Sequence, residues 1–144
     1  MTNELIPASH LDLLTEPVNA VLTTMMPDGQ PQSSMVWADY DGHHILINTA
    51  RERQKTRNLQ KNPKTTLLII DPADSSRWIE IRGRCVEMTE SGAITHADKL
   101  AKLYSGGEKQ RFYGDIYTEE KRLQETRVIV RILPVKIATD AIFR

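Results

Sequence analysis

The sequence has little of several features, and each shortage excludes a class of protein. Its 144 residues include one cysteine, Cys85, which excludes an intrachain disulfide and a zinc site made of cysteines alone. No apolar run approaches the roughly 20 residues that a membrane-spanning helix needs. Aromatic residues make up only 6%, and 19 basic residues balance 19 acidic ones. We therefore expect a protein that binds neither nucleic acid nor membrane, and an RNA-binding barrel is disfavoured.

Motifs for catalysis by side chains alone are also missing. The chain contains no HExxH, GxSxG, Walker loop or GxGxxG sequence. His43 and His44 are adjacent, so in a strand they point to opposite faces and cannot chelate one metal ion. No metal site is therefore expected. Cys85 falls in an apolar alternation, which is more typical of a core residue than of a nucleophile. If the protein is an enzyme, a bound cofactor has to carry the difficult chemistry.

The length and the N-terminal sequence predict one domain in a reducing compartment. A chain of 144 residues can bury one proper core and is too short for two ordinary ones, so residues 1–144 are taken as a single domain. The first ten residues, MTNELIPASH, lack the basic patch and apolar run of a signal peptide. Together with the single cysteine, this predicts a soluble cytoplasmic protein.

The apolar pattern predicts a mainly antiparallel sheet. Turn signals at residues 27–29 and 41–42 join three β-branched runs, at residues 18–26, 32–40 and 44–49. Residues 65–70 (TTLLII) are apolar throughout, which predicts a strand buried on both faces. The alternation after Arg77 changes phase near Gly83, which predicts a bulge or a sharp bend near residues 83–85. The last strand, Arg127–Thr139, contains Pro134 and is therefore expected to have an edge position or a bulge there.

Helical patterns separate or follow these strands, at residues 52–61, 91–104 and 118–124, with a shorter one near the N-terminus. The predicted fold class is α+β, mainly β. It has six or seven antiparallel strands in a closed or nearly closed barrel, with three to four peripheral helices. Closure is the simplest way to manage the edges of so many short strands.

Four cations gather where the third strand runs into the predicted helix at residues 52–61. They are Arg51, Arg53, Lys55 and Arg57, with Glu52 the only acid among them. The start of a helix has unpaired backbone N–H groups and the positive end of a dipole, so this junction suits a phosphate or carboxylate. A plain solvated face is the alternative interpretation.

These residues resemble a known family along nearly the whole chain. The matching segments are Val21-Leu22-Thr23-Thr24, Asp28-Gly29-Gln30-Pro31, Val36-Trp37, Lys55-Thr56-Arg57-Asn58-Leu59 with Asn62-Pro63, and Arg77-Trp78-Ile79-Glu80-Ile81-Arg82-Gly83-Arg84. The chain is similar to the pyridoxamine 5′-phosphate oxidase-like split β-barrel flavoproteins, especially their small branch that depends on the deazaflavin coenzyme F420. The resemblance implies an FMN-binding split barrel and a homodimer with cofactor sites at the subunit interface.

The resemblance also implies roles for particular residues. It places the cofactor ring along Ser34, Met35, Val36 and Trp37, although Trp37 is equally consistent with a core residue. It places the phosphate at Thr49, Arg53, Gln54 and Lys55, with Arg57 as a further candidate. The predicted cofactor-binding set is completed by Asn48, Arg51 and Trp78, the last in a strand that enters from the partner subunit.

Three departures from the family pattern stand out. Gln54 stands where the oxidases have an arginine, and Trp78 stands where they have a glutamine. Residues 133–144 also lack their substrate-binding Trp/Arg segment. Gln54 bears on the geometry of the phosphate site, and the other two departures disfavour oxidation of pyridoxamine phosphate. F420 is the preferred cofactor because its acidic tail suits the extra cations Arg51, Lys61 and Lys64, and FMN is the alternative.

The predicted activity is hydride transfer between F420 or FMN and a small conjugated organic acceptor. No catalytic side chain is identified; Tyr40, Tyr104 or a water molecule is a candidate proton donor. The acceptor pocket is expected in the loops at residues 71–76 and 105–118. Two alternatives stay open: a non-catalytic protein that binds flavin or haem, and an FMN-dependent enzyme of the oxidase type.

Overall fold

Six antiparallel strands form a closed barrel in the computed structural model, in which the strand order is β1-β2-β3-β6-β5-β4. The structure describes residues 5–143. The strands are β1 (Asn19–Met25), β2 (Pro31–Tyr40), β3 (Ile45–Ala50), β4 (Lys64–Ile70), β5 (Trp78–Thr89) and β6 (Arg127–Thr139). The predicted barrel and strand count are confirmed. The interpretation of the N-terminus as lacking a signal peptide falls partly on residues 1–4, which lie outside the described range.

The helices lie around the barrel, as predicted. They are α1 (Asp12–Thr15), α2 (Gln54–Lys61), α3 (Ala93–Tyr104) and α4 (Glu119–Arg122), with short 3₁₀ turns at Ala8–His10 and Asp140–Phe143. Helix α2 begins two residues later than predicted but ends at Lys61, because Asn62 precedes a proline and adopts extended dihedrals. Between residues 5 and 143, no helix combines the length and apolar character required to cross a bilayer.

The core fills the interior of the barrel with branched aliphatic side chains. Leu22, Ile45, Leu67 and Ile81 come from four different strands, and each is at most 1% exposed. Burying such a side chain contributes about 1.5–3 kcal/mol, so the inward positions of the strands supply most of the driving force for closure.

The outer face of β4 corrects one expectation. Residues 65–70 were predicted to be buried on both faces, but Ile70 is 44% exposed and Leu68 is only half-buried. Successive side chains of a strand point alternately into and out of the barrel, so within one chain only the inward-pointing ones pack in the core. Leu68 pairs in register with the exposed Val21, and Ile70 with Trp78. These four residues, Val21, Leu68, Ile70 and Trp78, form the outer apolar patch.

The bend predicted near Gly83 is present. The register between β5 and β6 shifts between Arg82 and Gly83 and again between Cys85 and Glu87. Pro134 lies opposite Gly83, beyond Ile132, the last residue of β6 that pairs with β3. Pro134 therefore has both features expected of a proline in a strand, an irregular register and a side without a neighbouring strand.

The barrel is split beside β2. Over residues 31–37 this strand pairs with β1, but it pairs with β3 only from Ala38 to Tyr40. The N–H of Ala38 donates to Tyr104 Oη, which also contacts Val18 O, so the peptide groups of Ala38 face β1. Successive residues of a strand direct their peptide groups to alternate sides, so those of Met35 face the unpaired side.

Candidate binding cleft

A cleft of about 230 Å³ opens where the barrel is split. One wall consists of β2, β3 and the start of α2, and the other consists of α3 and the segment that follows it. The lining residues are Met35, Val36, Trp37, Asn48, Thr49, Arg53, Lys55, Ala97, Leu100, Phe112, Ile116, Tyr117 and Arg127. The three charged residues among them are all cations, so the cleft is suited to an anionic ligand.

Two of these cations lie at the start of α2. Arg53 is the N-cap residue, with extended dihedrals (φ −79°, ψ 146°), and Lys55 follows two residues later. Short β-branched residues precede this point in β3, and helix-forming residues follow it, so the sequence itself sets the junction. The first amides of a helix have no partner within the helix, which adds N–H donors to the two cations.

Lys55 is held in the cleft without an anionic partner. Its side chain is half-buried, and no ion pair or hydrogen bond from its ammonium group is found within residues 5–143. Burial lowers the pKa of Lys55, and the nearby positive charges of Arg53 and Arg127 lower it further. A cation kept in such surroundings favours an anionic ligand, because the ligand would relieve both unfavourable effects.

The third cation, Arg127, comes from the start of β6 and is 8% exposed. Its Nη1 donates to Glu125 Oε1 at 3.2 Å, and Arg53 Nη2 donates to Glu125 Oε2 at 3.3 Å. The Glu125 side chain is only 3% exposed and also accepts a hydrogen bond from Tyr113 Oη at 2.6 Å. Glu125 therefore fixes both arginines at one side of the cleft and leaves Lys55 free to meet a ligand.

Asn48 connects Arg127 to helix α3. Its Oδ1 accepts hydrogen bonds from Nε and Nη2 of Arg127, at 2.9 and 2.7 Å. Its Nδ2 donates to Ala93 O at 2.7 Å and lies 3.1 Å from His96 Nδ1. On the other side of the ring, His96 Nε2 lies 3.0 Å from Asp39 Oδ2.

Aromatic side chains make the remaining wall. Trp37 stacks on Tyr104 with ring centroids 5.0 Å apart, and Phe112 meets the edge of Trp37 at 6.4 Å. The guanidinium carbon of Arg127 lies 4.3 Å from the ring centroid of Phe112. The Phe112 ring also makes an edge contact with the ring of Tyr117. Trp37 is thus both a lining residue and part of a small packed cluster, so neither of its two predicted roles excludes the other.

The free edge of β2 supplies backbone groups at the opening of the cleft. Met35 is 57% exposed there, and its peptide groups face the unpaired side of the strand. The neighbouring Ser34 points into the barrel, where its Oγ is buried and has no hydrogen-bond partner in the described part of the chain. A flat apolar wall, an open strand edge and the unpaired Lys55 beside two arginines fit a planar ring that carries a phosphate group.

The structure brings seven of the twelve predicted site residues to the cleft: Met35, Val36, Trp37, Asn48, Thr49, Arg53 and Lys55. Arg51 instead pairs with Glu90 at 2.8 Å. Arg57 is exposed and donates to the backbone of Glu52 and to Gln54 Oε1, and Gln54 in turn donates to Asn58.

The other two predicted residues point elsewhere. Ser34 faces the barrel interior, and Trp78 lies in the outer apolar patch, so any role of Trp78 in a cofactor site needs a second protomer. Among residues 5–143, no three or more His, Cys, Asp or Glu side chains lie close enough together to hold a metal ion.

Several lining residues were not predicted. Arg127 is brought in by barrel closure, because it pairs in register with Ala50 at the end of β3. Phe112, Ile116 and Tyr117 come from the loop at residues 105–118, which was expected to shape an acceptor pocket but without named residues. The available signal was the concentration of aromatic residues in that loop.

Comparison with known proteins identifies the family. A barrel that opens beside one strand, with a cationic cleft at the start of a helix, defines the class of split-barrel cofactor-binding proteins. The family described as pyridoxamine 5′-phosphate oxidase matches residues 6–139, and the chain belongs to it.

Solved structures show the same fold. A protein described as an F420 reductase has a TM-score of 0.78 and 28% sequence identity, over 92% of this chain and 98% of that one. A conserved hypothetical protein from Mycobacterium tuberculosis has a TM-score of 0.66 at 23% identity, over 96% and 88% of the two chains. General Stress Protein 26 from Bacillus anthracis has a TM-score of 0.60 at 18% identity, over 90% and 93%. The two more distant structures show the fold alone; the family match and the F420 reductase structure support, at the level of the family, an oxidoreductase that binds a flavin or deazaflavin.

Proposed function

We propose that the protein is an oxidoreductase that binds a phosphate-bearing deazaflavin, F420, in the cleft and transfers hydride between it and a small conjugated organic acceptor. FMN is the alternative cofactor. The observation that supports this most directly is Lys55, a half-buried cation in the cleft with no anionic partner among the described residues.

Each part of the cleft has a role in this proposal. Lys55 and Arg53 hold the phosphate at the start of α2, beside the Thr49 hydroxyl. The ring lies along the free edge of β2, where the backbone of Met35 offers a donor and an acceptor and Trp37 forms the floor. Phe112, Ile116 and Tyr117 cover the opposite side and exclude water. When bound, the cofactor supplies the hydride chemistry, and the chain holds and orients the reacting groups.

F420 is preferred over FMN for two reasons. The chain is 28% identical to a structure described as an F420 reductase. Two exposed cations, Lys61 at the C-terminal end of α2 and Lys64 at the start of β4, are further candidates for holding a longer acidic tail. Arg51 was predicted to act with these cations, but it forms an ion pair with Glu90 and therefore contributes less to binding the tail.

A homodimer with cofactor sites at the subunit interface is part of the proposal. The outer apolar patch leaves Ile70 44% and Val21 39% exposed on a regular sheet surface. Burying such a patch against a second copy would stabilise the dimer by about 25 cal/mol for each Å² of apolar surface removed from water. It would also bring Trp78 into contact with the partner.

A second candidate function is binding of a flavin or haem without turnover. It is favoured by the hydrogen bonds of the two tyrosines expected to donate a proton. Tyr104 Oη is tied to backbone groups of Val18 and Ala38, and Tyr40 Oη donates to Gly42 O. A water molecule or Tyr117, which lines the cleft, would have to supply the proton in an enzyme.

Parallel titration with F420 and FMN tests the proposal, with binding followed by cofactor fluorescence. Replacing Lys55 by alanine should weaken the preferred cofactor about 10- to 100-fold, the range for losing a hydrogen bond to a charged group. The matched control is Lys102→Ala, an exposed lysine of α3 that does not line the cleft, which should leave the affinity for either cofactor within about threefold of the wild type.

Two outcomes would contradict the proposal. One is that neither cofactor binds the wild-type protein, and the other is that folded Lys55→Ala binds as tightly as the wild type. Turnover with a panel of quinones and enones then separates the enzyme from the binding protein. Binding without turnover across that panel would favour the second candidate.

A further inference from the structure

The hydrogen bonds of Asn48 determine how its side-chain amide is oriented. Arg127 can only donate, and it directs both Nε and Nη2 at one atom of that amide, which must therefore be the oxygen. The NH₂ group then faces Ala93 O, which can only accept, and His96 Nδ1. Both ends of the amide are thus fixed by groups that have a single hydrogen-bonding role.

The amide in turn fixes the protonation state of His96. Since Asn48 Nδ2 is a donor, His96 Nδ1 must accept and carry no proton. The proton of the neutral ring is then on Nε2, which donates to Asp39 Oδ2 at 3.0 Å. The charged groups around the ring are Asp39 from β2, Lys99 from α3 itself, whose Nζ is 3.0 Å from the same carboxylate oxygen, and Arg127 from β6 behind Asn48.

We propose that His96 is a positioning residue that acts through Asn48 on Arg127, so that the cleft binds its anionic ligand best when His96 is neutral. The consequence for ligand binding rests on the proposed function; the coupling between the three side chains does not.

Protonation of His96 would place an N–H against the NH₂ group of Asn48. Two donors cannot share a hydrogen bond, so the amide must rotate or move away. Rotation presents NH₂ to Arg127, which then loses both bonds to Oδ1 and keeps, among the described residues, Glu125 and the ring of Phe112. The guanidinium at one side of the cleft would shift although His96 does not line the cleft itself.

Nuclear magnetic resonance of the ligand-free wild-type protein tests the coupling directly. The imidazole nitrogens of His96 and the Nε–H of Arg127 are followed from pH 8 to pH 5.5. We expect an unprotonated Nδ1 at pH 8, and an Arg127 Nε–H resonance that moves with the same midpoint as His96. An Arg127 resonance that stays constant while His96 titrates would overturn the proposal, whether or not any cofactor binds.

Ligand binding gives the second arm, with F420 and FMN as probes. In the wild type, affinity should fall about tenfold more between pH 8 and pH 5.5 than in His96→Gln, which stays neutral. The ionisation of the ligand itself is common to both proteins and cancels in this comparison. The matched control is His44→Gln, on the β2–β3 turn, which should keep the wild-type pH profile.

The two arms separate the possible failures. Coupled titration of His96 and Arg127 without binding of either probe would contradict the proposed function and support this inference. Equal pH profiles of binding in the wild type and in His96→Gln, measured separately with each cofactor that binds, would contradict this inference. If His96→Gln does not fold, the titration of the wild-type protein still decides.

Discussion

Gly83 lies directly against the backbone of Leu133 across the β5–β6 ladder. A Cβ atom at Gly83 would be 2.5 Å from the carbonyl oxygen of Leu133 and 2.9 Å from Cγ2 of Ile132. The oxygen belongs to the main chain at an irregular register, so it cannot move aside as a flexible side chain would. We expect Gly83→Ala to destabilise the protein by about 1–3 kcal/mol and to lower its melting temperature by several degrees.

Thermal unfolding followed by circular dichroism measures this effect. The matched control is Arg84→Ala, the next residue of β5, whose side chain is exposed and should have an effect within about 0.5 kcal/mol. Equal melting temperatures for Gly83→Ala and the wild type would show that the ladder opens freely at this point.

Much of the barrel could be predicted because local signals specify it. Each local signal specifies one structural feature, and each prediction is confirmed. The signals are the turn residues after β1 and β2, the phase change near Gly83 and the proline after α2. The exposure of β4 could not be predicted in the same way. An apolar outward face signals burial against something, and the sequence of one chain does not say whether that partner is another element or another protomer.

The cleft was harder to predict than the fold because its residues are distant in sequence. Arg127 reaches Asn48 only because β6 pairs with β3, and His96 reaches it because of how α3 packs on the barrel. Arg57 is a different case. Residues two apart on a helix point to nearly opposite sides, so Lys55 and Arg57 cannot both face one cleft, and helical geometry alone separates them.

The buried charge of Lys55 should destabilise the folded protein when no ligand is bound. Its pKa is lowered by burial and by neighbouring positive charges, so the unfolded chain holds this proton more tightly than the folded one. The penalty is complete below the lowered pKa and disappears as pH rises through the unfolded value of about 10.4. We expect Lys55→Met to raise the denaturant midpoint at pH 7 and to lose this advantage above pH 10.

Urea unfolding without ligand measures the change, and Lys61→Met, at the exposed end of α2, is the matched control. Methionine keeps the length and apolar stem of lysine, so packing is largely preserved. A Lys55→Met protein that is less stable than the wild type at pH 7 would mean that the ammonium group has a favourable role in the fold.

The hydrogen bonds and ion pairs of Asp39 should make the free energy of unfolding depend on pH in the acid range. Burial alone would raise the pKa of Asp39, but hydrogen bonds from His96, Lys99 and the Tyr40 N–H outweigh it and lower the pKa from 3.8 to about 2. A lowered carboxyl pKa contributes stability that is complete above about pH 4 and is lost as pH falls towards 2. The contribution is on the order of 2 kcal/mol.

The comparison of wild type with Asp39→Asn tests this by urea unfolding between pH 7 and pH 2.5. The variant should be less stable at pH 7, and the difference should shrink steadily below pH 4. Glu16→Gln, at an exposed carboxylate, should show no such convergence. A constant difference across the whole range would mean that the asparagine alters packing rather than charge.

The outer apolar patch should decide the oligomeric state. If a second copy covers it, light scattering should give twice the 16.4 kDa mass of the chain. Ile70→Glu places a charge in the middle of the patch, and burying an unpaired carboxylate is costly enough to separate the protomers. We expect a monomer for this variant and weaker cofactor binding, since Trp78 would lose its partner. Leu123→Glu, at a side chain 89% exposed beyond α4, should remain dimeric. A wild-type monomer that binds F420 or FMN would place the whole site within one chain and remove Trp78 from it.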